Sequence, residues 1–110
     1  MATQIERLEA LQDGPRDGAL LRHSLGIEYL RTGDPSKAAA AFRRALTFDP
    51  AYSAAWKNLG RALAEAGQSE DALAAYRQGI AVASGRGDLQ AAKEMTVFAR
   101  RLEKRLADGS

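Results

Sequence analysis

Cysteine is absent from the 110-residue chain, and histidine occurs once, at His23. The first absence excludes disulfides and thiolate chemistry. Together they remove the side chains that dominate zinc sites, so neither a metal nor a cofactor is expected. A nucleophilic triad would need His23 beside an activated Ser and an acid. Ser24 is adjacent on the same helix and points about 100° away, so no enzyme activity is expected. Gly85-Arg86-Gly87 lacks the Lys-Ser/Thr and the preceding strand of a phosphate loop. An excess of one charge is also missing: 16 Lys and Arg against 14 Asp and Glu leave +2. That balance argues against a dedicated nucleic-acid binder, which carries a concentrated basic excess. No apolar run approaches the roughly 20 residues that span a bilayer. The N-terminal stretch, MATQIERLEALQDGP, has no secretory apolar core. A cytoplasmic, membrane-free protein is the expectation.

What is present is a repeat. Hydrophobic residues at 45% and charged residues at 27% suit a single soluble domain over residues 1–110. Ser53 to Ser84 reads as an amphipathic helix, a Gly turn and a second amphipathic helix. Ala19 to Pro50 repeats this pattern 34 residues earlier. Leu25-Gly26 becomes Leu59-Gly60, Gly33 becomes Gly67, Ala38 becomes Ala72 and Phe42 becomes Tyr76. Helical units of this length stack into interaction scaffolds.

Read in order, the chain starts with a short helix from Thr3 to Asp13, capped by Thr3 with Glu6 three residues on. Leu8 lies 34 residues before Phe42, so this helix is in phase with the second helix of a repeat. It reads as a half repeat over residues 1–14. Repeat 1 occupies residues 18–50: a helix from Gly18 to Thr32, with Asp17 as N-cap, then Gly33 as C-terminal stop. Asp34-Pro35 opens its second helix, Ser36 to Phe48. Repeat 2 occupies residues 52–84, with helices over Tyr52–Ala66 and Glu70–Ala83. Gly79 inside the second helix costs roughly 1 kcal/mol against Ala, which predicts a close-packed neighbour. Gly85-Arg86-Gly87 is read as the last break. Asp88 then caps a long helix over residues 88–107, with Asp108 to Ser110 fraying. Its apolar stripe, from Ala91 to Leu106, covers roughly 120° of the wheel.

These residues resemble the tetratricopeptide repeat family, in a small bacterial-type form. The family pattern runs Trp, Leu-Gly, Tyr on the first helix, then Ala, Phe, Ala, Pro on the second. Repeat 1 offers Leu25-Gly26, Tyr29, Ala38, Phe42, Ala45 and Pro50, with Arg22 in the Trp place. Repeat 2 offers Trp56, Leu59-Gly60, Leu63, Ala72, Tyr76 and Gly79, with Ser84 in the Pro place. The last helix keeps the phase but not the pattern and resembles the family's solvating cap helix. The resemblance implies an all-α helical-hairpin solenoid of about six helices, wound as a right-handed superhelix. It also gives the pattern a packing logic. Gly26, Gly60, Ala38 and Ala72 let paired helices approach, and Phe42 and Tyr76 fill the space between adjacent repeats.

The same resemblance implies a non-catalytic module that binds a peptide or helix of another protein in a concave groove. Carried over by phase, the groove residues are Leu20, His23, Ile27 and Arg31 from repeat 1. Repeat 2 supplies Ala54, Lys57, Asn58, Arg61 and Glu65, and the last helix adds Met95 and Phe98. Such a groove is mildly basic, with an apolar floor, and favours acidic partners. Lys57 and Arg61, one turn apart, can embrace a carboxylate. The family's two-carboxylate clamp for chaperone tails is not expected, because only Asn58 matches its pattern. Two alternatives carry different partners. Leu102 and Leu106, at the overhanging end of the last helix, could join a second copy of the chain or fold over a neighbouring loop. Arg100, Arg101, Lys104 and Arg105 could touch nucleic acid, although Glu94 and Glu103 interrupt them. A solvated helix end whose cations suit the dipole is the simpler reading of that cluster.

Overall fold

The first helix begins where two side chains cap it reciprocally. The Glu6 amide donates to Thr3 Oγ1 and the Thr3 amide to Glu6 Oε1, each at 3.1 Å. The computed structural model describes residues 2–109. Among them are six helices and no strand: α1 (Gln4–Glu9), α2 (Ala19–Arg31), α3 (Pro35–Phe48), α4 (Ser53–Glu65), α5 (Ser69–Arg86) and α6 (Leu89–Gly109). The all-α hairpin architecture expected from the sequence is the one observed.

The turns follow local chemistry. Asp34 accepts from the Lys37 amide at 3.1 Å while Pro35 takes the first helical position of α3. Gly33 and Gly67 both sit at φ +81°, the left-handed conformation that ends α2 and α4 at low cost. Four boundaries differ from expectation. The first helix, read over Thr3 to Asp13, stops at Glu9 and continues as turns to Asp13, where φ is +64°. Asp17 does not cap α2; Gly18 occupies the N-cap without a side-chain bond. The Gly85-Arg86-Gly87 break is narrower than read, because α5 runs through Arg86 and stops only at Gly87, with φ +77°. Asp108 and Gly109 continue α6 rather than fraying from it; Ser110 lies outside the described residues.

Close approach then builds the stack. The Phe42 ring lies directly over Gly26, and the Tyr76 ring over Gly60. Phe42 and Tyr76 thus cover the glycine of their own hairpin. Tyr76 also reaches across to Phe98 of α6, with centroids 5.6 Å apart. Ala38 and Ala72 are completely buried at the same joints. Gly79 has the close neighbours its position predicts: an added Cβ would lie 2.5 Å from Met95 Sδ and 2.7 Å from Trp56 Cβ. Helices meet mainly their sequence neighbours, α2 with α3, α3 with α4, and so on to α6. One core cluster runs through the stack from Leu25 to Leu102, with Ile5 and Leu8 of α1 packed at its edge.

Arg22 explains its own place in the Trp position. Its Nε and Nη2 donate to the two carboxylate oxygens of Asp17 at 2.8 and 2.7 Å. This fork geometry is the strong form of a charge-assisted bond. The guanidinium, helped by the backbone amides of Asp13 and Gly18, holds the Asp17 carboxyl well below the usual carboxylate range. Asp17 therefore anchors the α1–α2 turn instead of capping the helix.

Candidate protein-docking cleft

The first helix of the second hairpin, α4, and the closing helix, α6, leave a cleft of about 550 Å³ between them. From α4 come Lys57, Asn58, Arg61, Ala64 and Glu65. From α6 come Glu94, Phe98, Arg101, Leu102 and Arg105, and Tyr76 of α5 lies between. The spacing of Glu94, Phe98, Arg101 and Arg105, at steps of four, three and four, puts them on one helix face. The apolar part is Tyr76, Phe98, Leu102 and Ala64. Burial pushes the Tyr76 hydroxyl up to about 12, although nearby Arg61 pulls it down.

Four cations and two carboxylates line this cleft. Lys57 Nζ meets Glu94 Oε2 across it at 3.6 Å, and Arg61 Nε meets Glu65 Oε2 along α4 at 3.6 Å. Exposed pairs of this length are worth roughly 0–1 kcal/mol, so a ligand can exchange them cheaply. Arg101 lies over the Phe98 ring, 6.0 Å from its centroid. Among the described residues neither Arg101 nor Arg105 has a carboxylate within 4.0 Å.

Of the residues expected in the groove, Lys57, Asn58, Arg61, Glu65 and Phe98 come together here. His23 is joined to them from behind. Its Nε2 lies 2.9 Å from the Asn58 side-chain nitrogen and its Nδ1 lies 3.2 Å from the Tyr52 hydroxyl. A neutral ring fits both: Nε2 accepts from the Asn58 amide and Nδ1–H donates to Tyr52 Oη. Burial, reinforced by the Lys57 charge, pushes the His23 pKa down from its ordinary value.

Leu20, Ile27 and Arg31 lie on α2, outside the cleft, with Leu20 72% exposed. Ala54 borders a different depression, with Tyr52, Arg86 and Asp88. Met95 is a correction. It is fully buried beneath Gly79 and Trp56 and cannot touch a ligand. Leu102 is another: it is 3% exposed, part of the core rather than an overhanging end. Leu106 is half-buried and borders the α4–α5 turn at Gly67 to Ser69. The sequence reading missed Tyr76, Glu94, Arg101 and Arg105 as cleft residues. The three on α6 were legible in principle from their shared face with Phe98.

Helical hairpins repeated every 34 residues, with a side cleft between α4 and the closing helix α6, define a repeat scaffold. The tetratricopeptide repeat pattern matches residues 23–88. A TPR repeat-containing protein of Pseudomonas aeruginosa is 48% identical over 100 residues, spanning 91% of this chain and 95% of its own. A Bordetella parapertussis protein solved in solution superposes with a TM-score of 0.82 at 43% identity, covering 96% of this chain and 91% of that one. A tetratricopeptide repeat domain protein of Salinibacter ruber, also solved in solution, gives 0.74 at 28% identity, covering 84% and 92%. The chain belongs to the tetratricopeptide repeat family. Domains of this family are in general protein–protein interaction modules.

Proposed function

We propose that the chain is a non-catalytic adaptor that holds an acidic peptide or helix of a partner protein in the α4–α6 cleft. One observation carries this reading: an apolar floor of Tyr76 and Phe98 is flanked by Lys57, Arg61, Arg101 and Arg105. Aromatic and Arg side chains in a concave site are the usual anchors of an interface. Among the described residues the Arg101 and Arg105 guanidiniums have no carboxylate partner, and each can take one in a fork.

The basic run on α6 has a divided role under this reading. Arg101 and Arg105 line the cleft, and Arg100 and Lys104 do not. Of the two residues read for self-association, Leu102 belongs to the core and Leu106 is half-buried.

The test is affinity capture from native lysate with Arg61→Glu/Arg101→Glu as the control. Captured partner should fall at least tenfold while the helical circular-dichroism signal is unchanged. Undiminished capture by a folded double variant refutes the cleft as the binding face.

A further inference from the structure

The cleft already contains an anion of its own. Glu94 projects from α6 to Lys57 on α4, and the pair spans the two walls at 3.6 Å. Neither side chain is locked in place: they remain 32% and 40% exposed. Glu94 shares its face of α6 with Phe98, Arg101 and Arg105, so it stands in the row that a ligand would contact. Arg61 is occupied in a similar way, but by Glu65 on its own helix, one turn away. Only the Lys57–Glu94 pair crosses between the walls among the ion pairs of the described residues that line the cleft.

From this geometry we infer that Glu94 sets the specificity of the cleft. It is a built-in counter-anion at Lys57, and a partner must displace it with a carboxylate of its own. The inference rests on the acidic-partner reading above and names the residue that discriminates among acidic partners. A segment carrying one carboxylate engages Arg101 and Arg105 and leaves Glu94 on Lys57. A segment with a second carboxylate reaching Lys57 must compete with Glu94 for the same ammonium. Glu94 therefore weakens multiply acidic segments selectively and leaves neutral apolar ones untouched. Repulsion of this sort gives specificity where attraction alone would not.

The neutral isostere Glu94→Gln removes the competitor and keeps the side-chain shape. It leaves four cations facing one carboxylate in the cleft. A charge-matched control stands on the other side of the same helix. Glu103 pairs with Arg77 at 3.0 Å, outside the cleft, nine residues from Glu94 and about 180° around α6. Glu103→Gln alters net charge by the same amount without touching the site.

The experiment titrates 15N-labelled protein with a fluorescein-labelled peptide of alternating Glu and Leu, and with its Gln/Leu counterpart. Amide shifts around Lys57, Arg61 and Arg101 report cleft binding, and fluorescence anisotropy gives the affinity. Glu94→Gln should tighten the Glu/Leu peptide roughly two- to fivefold and leave the Gln/Leu peptide unchanged, with Glu103→Gln like wild type. Binding seen only in Glu94→Gln is the extreme form of the same result. If wild type binds the Glu/Leu peptide in the cleft but Glu94→Gln does not tighten it, the role of Glu94 is overturned and the acidic cleft stands. Equal tightening by both variants assigns the effect to long-range charge and also overturns it. No cleft shifts with any of the three proteins overturns both readings.

Discussion

A methyl group added at Gly60 would sit 2.5 Å from a ring carbon of Tyr76, whereas one added at Gly85 would meet nothing within 4 Å. Both residues are helical, so the two sites separate packing from propensity. Gly60→Ala should destabilise by roughly 1–3 kcal/mol, because the Tyr76 ring over Gly60 would have to shift from its buried position. Gly85→Ala, within α5, should stabilise by roughly 0.5–1 kcal/mol through helix propensity and the unfolded chain. Urea midpoints of the two variants measure the opposite signs directly. His23 gives a second residue-scale expectation. Its folded pKa is pushed below the ordinary 6.5, so the unfolded chain takes up the proton first. The stabilisation is present above about pH 6.5 and is lost as pH falls through the folded value. The urea midpoint should drop between pH 7.5 and 5.5, and His23→Gln should shrink that drop. An equal drop in the variant refutes the linkage.

At the scale of elements, the hairpins were legible because their backbones must touch. A small residue facing a large one at fixed spacing, Gly26 with Phe42 and Gly60 with Tyr76, specifies contact as well as helix. Asp34-Pro35 and Gly67 marked turns for equally local reasons. The cleft was less legible because it depends on how α6 is rotated. Carrying the repeat phase onto α6 placed Met95 in the groove. The helix instead turns Ala92, Met95, Ala99 and Leu102 inward and Glu94, Phe98, Arg101 and Arg105 toward α4. That rotation is a tertiary outcome: Gly79 leaves a hollow on α5 that the Met95 thioether fills. Asp17 was misread for a similar reason, since the Arg22 fork outcompetes a cap. The expectation that follows concerns Met95. Met95→Ala should cost about 2–5 kcal/mol as a core cavity, while folded protein captures partner as wild type does. Lost capture at full stability would return Met95 to the binding face.

The whole molecule measures 46 × 31 × 18 Å, a slab one hairpin thick. Its two long helices close the far end: α5 and α6 pack broadly together, whereas six-residue α1 meets only α2 at the near end. Binding is thus expected where the stack is best braced. The cleft lies between α4 and α6, and α5 packs broadly against both, which braces its walls. Preorganisation of this kind lowers the ordering cost that a partner must meet.

The neighbour-to-neighbour packing of the helices has a consequence in time. Each hairpin closes a loop of only three residues between its helices, Thr32 to Asp34 and Ala66 to Gln68. Loop-closure entropy is small for such short connections, and chains dominated by local contacts reach the native state fastest. Refolding after stopped-flow dilution from urea should be complete within milliseconds. A dominant phase lasting seconds would contradict this account. The same arrangement lets newly made hairpins form in sequence order, the earlier pair serving as the surface on which the later one condenses.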